Sequence, residues 1–296
     1  MKQTYNKEWF KVRAIDNLRK IAKNTWDYSD SALLYLSSGS DAYEQLQVEK
    51  SPYFKQITEP ETHYLKEVAE PVIALLPDHV DFVDLGPGTE HKEQFFFDEL
   101  KRQKKTFSYI PVDISESFLD IATTYATQQG IEVTPIHASF EEVPDILAKR
   151  TSPRFVSLGL TWQNYEPSVI LALLERIAEK DGWYFLTSHI RDRINVPILK
   201  KIYGDILMAD EKMKLIGLDP RTDVSPRSID DEFRVWCTIN HVSGILKEKG
   251  VEEGDRLLVF QSMRYTKAQL QDILSATSHY QLLDNGSAFI GIMARS

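Results

Sequence analysis

Between residues 62 and 189 the sequence alternates segments of helical apolar spacing with short apolar runs, joined by short connections. No other pattern in the chain restricts the fold as tightly. The spacing predicts helices over 64–76, 92–102, 118–128 and 167–179, and extended segments over 80–85, 109–112, 133–136, 155–160 and 183–187. Strands that are apolar throughout and alternate with helices belong to a parallel sheet covered on both faces. After residue 187 the alternation stops. Residues 195–218 read as a long helical region, followed by Pro220, Pro226 and extended stretches at 232–241 and 256–265, so this part is expected to be an insertion. The first pattern then resumes with a helix at 267–275 and a strand at 280–283. An Asn285-Gly286 turn and a last strand at 288–293 predict an antiparallel pair closing the sheet. Ahead of all this, residues 1–60 read as helices, with Trp9, Val12, Ile15 and Leu18 at three-residue spacing and a Ser-Gly-rich break at 37–40.

The expected architecture is therefore α/β in two parts. Residues 62–189 and 265–296 form the sheet, and residues 1–61 and 190–264 form a smaller part that covers a small-molecule site. With 35 Lys plus Arg against 44 Asp plus Glu, the net charge of -9 argues against phosphate-backbone binding, so no nucleic-acid partner is expected. The single cysteine, Cys237, has Val235, Trp236 and Ile239 around it and reads as a buried strand residue. His91, His137, His189 and His241 have no metal-ligand spacing and read as surface or satisfied polar residues, and Asp230-Asp231-Glu232 reads as a solvated turn; no metal is expected. The start of the chain is charged and no apolar run approaches a membrane span, which leads to the expectation of a cytoplasmic protein with no membrane partner.

The chemistry-bearing stretch is Val83-Asp84-Leu85-Gly86-Pro87-Gly88-Thr89, two glycines where a buried strand turns toward a helix. A side chain at Gly86 or Gly88 would hold a ligand away from the backbone. The third glycine of a dinucleotide fingerprint is replaced by His91, so close approach of a pyrophosphate is not specified. Asp113 ends the next predicted strand, where a carboxylate can accept hydrogen bonds from both hydroxyls of a ribose; alternatively it caps the helix beginning near Ser115. A third strand end, His137-Ala138-Ser139-Phe140-Glu141, offers Phe140 to an adenine or simply to the core.

Two glycines without the third, an acid ending the second strand and a terminal hairpin suit an S-adenosylmethionine site better than a nicotinamide site. Leu85 to Lys92 together with Tyr109 to Ser115 resembles the histidine-specific N-methyltransferases of ergothioneine biosynthesis, whose relatives include the dimethylallyltryptophan N-methyltransferases. The likeness runs from about Leu34 to the C-terminus. Tyr35, Gly39-Ser40 and Pro52-Tyr53-Phe54 are similar to the family's tyrosine, Gly-Ser and Pro-Glu-Tyr-Tyr elements. Leu158-Gly159-Leu160-Thr161-Trp162-Gln163-Asn164 is similar to its Leu-Gly-Ser-Thr-Ile-Gly-Asn, and Gln261-Ser262-Met263-Arg264-Tyr265 to its Ile-Ser-x-Lys-Phe. The resemblance implies a class I (Rossmann-like) methyltransferase sheet with a smaller substrate-binding lid. It also implies that Gly86, Lys92 and Asp113 contact the cofactor, Lys92 near its methionine end. Asn164 and Tyr203 would hold a substrate carboxylate, Tyr35 and Tyr53 would line the amine site, and Ser262 would face the substrate side chain.

Two positions depart from that family. Ser139 stands where an acid reads the adenine amino group, and Phe260 where a glutamate reads an imidazole. An imidazole N–H buried without an acceptor costs about 1–3 kcal/mol, so histidine is not the favoured substrate. The expected activity is S-adenosylmethionine-dependent methylation of the amino group of an amino acid or related small amine, releasing S-adenosylhomocysteine. Another small-molecule acceptor, through oxygen or a ring nitrogen, and a silent cofactor-binding module are the alternatives. Lys92 as a solvated helix residue and Asn164 as a turn residue bonding backbone are the structural readings to set beside those roles.

Overall fold

The computed structural model describes residues 5–35, 43–48, 51–204, 208–277 and 279–296. The Gly39-Ser40 motif lies outside them. In chain order the strands are β1 (Arg19–Ala22), β2 (Thr25–Asp27), β3 (His79–Leu85), β4 (Thr106–Asp113), β5 (Ile136–His137), β6 (Arg154–Ser157), β7 (Trp183–His189), β8 (Ser228–Ile229), β9 (Arg234–Thr238), β10 (Arg256–Gln261), β11 (Tyr280–Leu283) and β12 (Phe289–Arg295). Two compact units share them, Met1–Leu46 with Asn195–Met263, and Gln47–Ile194 with Arg264–Ser296.

The larger unit is built on a seven-stranded sheet of order β11-β12-β7-β6-β3-β4-β5. The five strands from β7 to β5 are parallel, β12 runs antiparallel to β7, and β11 pairs antiparallel with β12. Every residue of β3 after His79 is buried, as a central parallel strand covered on both faces requires. Phe82, in its middle, meets Phe96, Phe97, Tyr109 and Phe155 with ring centroids 4.9–5.9 Å apart. The Glu59–Ala74 helix buries Tyr64, Leu65, Val68, Ala69, Val72 and Ile73, a one-sided spacing, in the same core. Its first residues continue the π-helical turn Phe54–Thr58 without a break. Tyr53, just ahead of that turn, belongs to the larger unit, which begins at Gln47.

The extended run expected at 133–136 is mostly absent: β5 holds only Ile136–His137, with an isolated bridge from Val133 to Tyr109. Pro135 has no N–H to give to a ladder, and the pairing is interrupted there. The closing hairpin pairs Tyr280 with Ala294 through Leu283 with Gly291, as the Asn285-Gly286 signal suggested.

The smaller unit carries a five-stranded sheet of order β1-β2-β10-β9-β8. Here the helical reading of residues 1–60 is corrected. After the Lys7–Asp16 helix the chain forms the β1–β2 hairpin, turning at Asn24 with φ 56°. β2 is held by parallel pairing to β10, more than 200 residues away, a partner that no local propensity announces. The region 195–218 contains two helices, Val196–Gly204 and Met208–Leu215. Cys237 is buried in β9. Asp230 is more engaged than a solvated turn residue: its carboxylate accepts from the N–H groups of Glu232 and Arg234 and from the Arg234 and Trp236 side chains.

Candidate functional site

In the larger unit the chain leaves β3 toward β4 and β5 on one side, then returns to β6 and β7 on the other, so the sheet's order reverses beside the end of β3. Connections on opposite faces leave a crevice there, at the carboxyl ends of the strands. Four of the expected motifs follow those ends in order: the glycine turn after β3, Asp113 at the end of β4, Ser139-Phe140 after β5, and the loop to Asn164 after β6.

Gly86 and Gly88 have φ of 69° and 67°, a left-handed backbone that a residue with a Cβ adopts at a cost. A Cβ on Gly86 would sit 3.5 Å from Cζ of Phe140, so the glycine turn and the aromatic ring face one another. Phe140 is half-buried, and its other near ring is Tyr165, 6.5 Å away. Asp113 is buried and makes no ion pair among the described residues. Its Oδ1 accepts from the Ser115 N–H at 2.8 Å. Burial pushes its carboxyl up to about 7, against the pull of the Ser115 and Ile114 N–H groups. Asp84, one strand away, is also pushed up to about 7 by burial and by the Glu93 charge, although Tyr109 donates to it at 2.8 Å.

Ser139 serves local structure. Its hydroxyl and its N–H both donate to Glu142 Oε2, at 2.8 and 3.0 Å, a capping box that holds the Phe140–Glu142 turn. Phe140 is the first residue of the turn that this box holds.

Lys92 is not the solvated helix residue of the structural reading. Its ammonium donates to Glu61 Oε2 at 2.9 Å and lies 3.7 Å from Glu90 Oε2. Burial alone would lower its pKa, but the Glu61 and Glu90 charges outweigh it and the net direction is up, so Lys92 stays protonated. Glu61 itself is 2% exposed, and its Oε1 accepts from the Thr187 hydroxyl at 2.5 Å. Neither Glu61 nor Thr187 stood out in the sequence, because their contacts join residues 31 and 126 positions apart.

Asn164 ends the turn Leu160–Asn164. The two residues before it fix that turn to β7: Trp162 Nε1 donates to Thr187 O at 2.7 Å, and Gln163 bonds Ser188 Oγ and the His189 N–H. Both are buried while Asn164 is half-buried, at the carboxyl edge of the sheet. Gln163 also accepts from the buried guanidinium of Arg264 at 3.4 Å. His189 is not a satisfied polar residue. It is buried, stacks on Phe289 at 4.4 Å, has no hydrogen-bond partner for Nδ1 among the described residues, and has its pKa held well below the usual value by burial and by Arg264.

Tyr53 is half-buried at the start of the Phe54–Thr58 turn in this unit. The remaining expected residues belong to the smaller unit. Tyr35 ends the turn Ser31–Tyr35, with the Tyr43 ring 6.1 Å from its own. Tyr203, Phe260 and Ser262 are buried together: the Tyr203 hydroxyl is 3.4 Å from Ser262 Oγ, and its ring is 5.9 Å from Phe260. Phe233, which the sequence did not single out, joins them at 6.0 Å from Tyr203. It has φ 63°, rare for a bulky side chain, and its carbonyl accepts from the Ser262 N–H.

A reversed parallel sheet with its switch at β3, a left-handed glycine turn there, and a buried carboxylate ending the next strand define a class I S-adenosylmethionine-dependent methyltransferase. The residues fit that cofactor: the glycine turn leaves open the space a Cβ would fill before Phe140, and Asp113 is a buried acid able to accept sugar hydroxyls. A family profile described as histidine-specific methyltransferase, SAM-dependent, matches residues 14–192, and the chain belongs to that family. No curated protein matches the sequence. Similar solved structures include the citrinin polyketide synthase CMeT domain, 13% identical over 78% of this chain and 52% of that one, with a TM-score of 0.47. This chain thus spans about half of that protein's length. A SAM-dependent methyltransferase from Aquifex aeolicus is 14% identical over 86% and 97% of the two chains, with a TM-score of 0.44. The Burkholderia thailandensis 1,6-didemethyltoxoflavin-N1-methyltransferase, with 1,6-didemethyltoxoflavin and S-adenosylhomocysteine bound, is 12% identical over 90% and 88%, with a TM-score of 0.45. Among the described residues no helix is long and apolar enough to cross a membrane, and no cluster of His, Cys, Asp or Glu could hold a metal ion.

Proposed function

We propose that this protein methylates the amino group of an amino acid or related small amine whose side chain is apolar or aromatic. The observation that carries this reading is Phe260, a buried ring beside Tyr203 and Ser262 at the position where histidine enzymes of the family are expected to carry a glutamate. An apolar side chain loses nothing against that ring, whereas an imidazole leaves an N–H without its acceptor, at a cost of about 1–3 kcal/mol.

When bound, the cofactor supplies an electrophilic methyl group on a sulfonium. The chain's task is to orient an amine lone pair and to exclude water, and positioning of this kind is worth up to roughly 7–11 kcal/mol. In this reading Asp113 clasps the ribose, Gly86 and Gly88 allow close approach, Phe140 covers the adenine, and Lys92 meets the methionine carboxylate. Asn164 and Tyr203 hold the acceptor's carboxylate. Tyr35 and Tyr53 accept or donate at the amine and favour its neutral form, the only form with a lone pair to give.

The test is a panel of amino acids, amines and phenols incubated with S-adenosylmethionine, with methylated products identified by mass. Apolar and aromatic amino acids should be N-methylated in preference to histidine. Histidine as the best acceptor, methylation only at phenols, or cofactor binding without any turnover would overturn the reading. In Phe260→Glu, histidine should gain about tenfold in relative kcat/KM, the size of one recovered buried hydrogen bond. Tyr53→Phe should lower kcat more than cofactor affinity.

A further inference from the structure

Lys92 owes its position to another residue. Glu61, in the first turn of the Glu59–Ala74 helix, is a buried carboxylate with a different anchor on each oxygen: the Lys92 ammonium on Oε2 and the Thr187 hydroxyl of β7 on Oε1. Gly159, just past β6, packs its backbone against the same group, since a Cβ there would lie 3.5 Å from Glu61 Oε1 and 3.9 Å from Thr187 Oγ1. One carboxylate therefore joins the helix, the glycine turn after β3 and the ends of β6 and β7, all at the switch in strand order. Replacing a buried ion pair by apolar side chains is often neutral or stabilising, so stability alone does not account for a charge pair at this place. An ammonium on a long flexible stem does need a fixed acceptor if it is to meet a carboxylate in one position.

We propose that Glu61 is a positioning residue for cofactor binding. It holds one hydrogen of the Lys92 ammonium, whose other near carboxylate, Glu90, stands off at 3.7 Å, and so turns the ammonium toward the α-carboxylate of the cofactor's methionine part, while Thr187 fixes the direction from which it does so. The inference rests on the reading of this crevice as the cofactor site. It makes the ion pair specific for a ligand that carries the α-carboxylate.

Calorimetric titration of the full chain with S-adenosylhomocysteine, and with the analogue that lacks only the α-carboxylate, tests it. Glu61→Gln keeps the size and can still accept from Thr187, but it offers Lys92 no charge. It should weaken S-adenosylhomocysteine about tenfold and change the analogue by less than about twofold, as losing one charge-assisted hydrogen bond implies. Lys92→Met should show the same selectivity, and the double variant should be no worse than Lys92→Met alone. In turnover, Glu61→Gln should raise the KM for S-adenosylmethionine with little change in kcat. Thr187→Val, which removes only the anchoring hydroxyl, should give a milder loss of the same kind, and it carries the test if Glu61→Gln fails to fold. Equal losses for both ligands, or independent losses in the double variant, would reduce Glu61 to a structural role. If Asp113→Asn leaves both affinities unchanged, the crevice itself is not the cofactor site and the inference falls with it.

Discussion

Titration of Asp113 gives the sharpest test of the sugar site. Its carboxyl is buried, carries no cationic partner among the described residues, and is pushed up to about 7. Because its pKa in the folded chain is raised, the stability it contributes is present at acid pH and lost as pH rises toward about 7, where a charge must be buried. Donation by two sugar hydroxyls reverses that preference, since hydrogen bonds to the charged form favour it. The ionised fraction rises from about one tenth at pH 6 to about nine tenths at pH 8. S-adenosylhomocysteine should therefore bind nearly tenfold more tightly at about pH 8 than at about pH 6, and should release a proton on binding in the lower part of that window. Calorimetry in buffers of different ionisation enthalpy measures both. Asp113→Asn should flatten the profile at a weakened affinity. Asp84 is pushed up into the same range, with the Asp113 charge among the causes, so Asp84→Asn should move the midpoint of the profile down without removing its slope. A flat wild-type profile, or an unchanged slope in Asp113→Asn, would refute the assignment.

Three further outcomes follow from the packing. Gly291→Ala should unfold the closing hairpin, because its Cβ would sit 2.6 Å from the Tyr64 hydroxyl and 2.8 Å from Phe185; a loss of about 1–3 kcal/mol or more should appear in urea denaturation. Gly86→Ala meets only ordinary contact with Phe140, so its cost is the left-handed backbone, about 1 kcal/mol, and a melting temperature lowered by a few degrees should accompany weaker S-adenosylhomocysteine binding. Lys212 is wholly buried, donates to the Tyr28 and Asp30 carbonyls, and is pushed down to about 7 by burial, partly opposed by the Asp30 and Asp27 charges. Its charge is a burden on the folded chain below about 7, so wild-type stability should rise with pH between about 7 and 9 by up to about 1.4 kcal/mol per unit. Lys212→Met should remove that slope and gain most at the acid end; a slope that persists would remove Lys212 as its source.

The parallel sheet was legible in the sequence because its strands are buried on both faces and therefore apolar throughout, and because helix and strand alternate locally. The glycine turn, Asp113 and the closing hairpin were legible for a similar reason: backbone conformation and position at a strand's end are written within a few residues. Pairings between distant segments are not written that way. The β1–β2 hairpin was read as helix because its stability comes from β10, and the truncation of β5 followed from Pro135 only once its neighbour was known. Likewise Lys92 has the same sequence neighbours whether it points to water or to Glu61, and Ser139 whether it faces a ligand or Glu142. The chain alone settled its fold class and the cofactor chemistry. Which acid holds which base was decided only when folding brought residues 61, 92 and 187 together, since a charge buried in a low-dielectric interior takes whatever partner the packing places within reach.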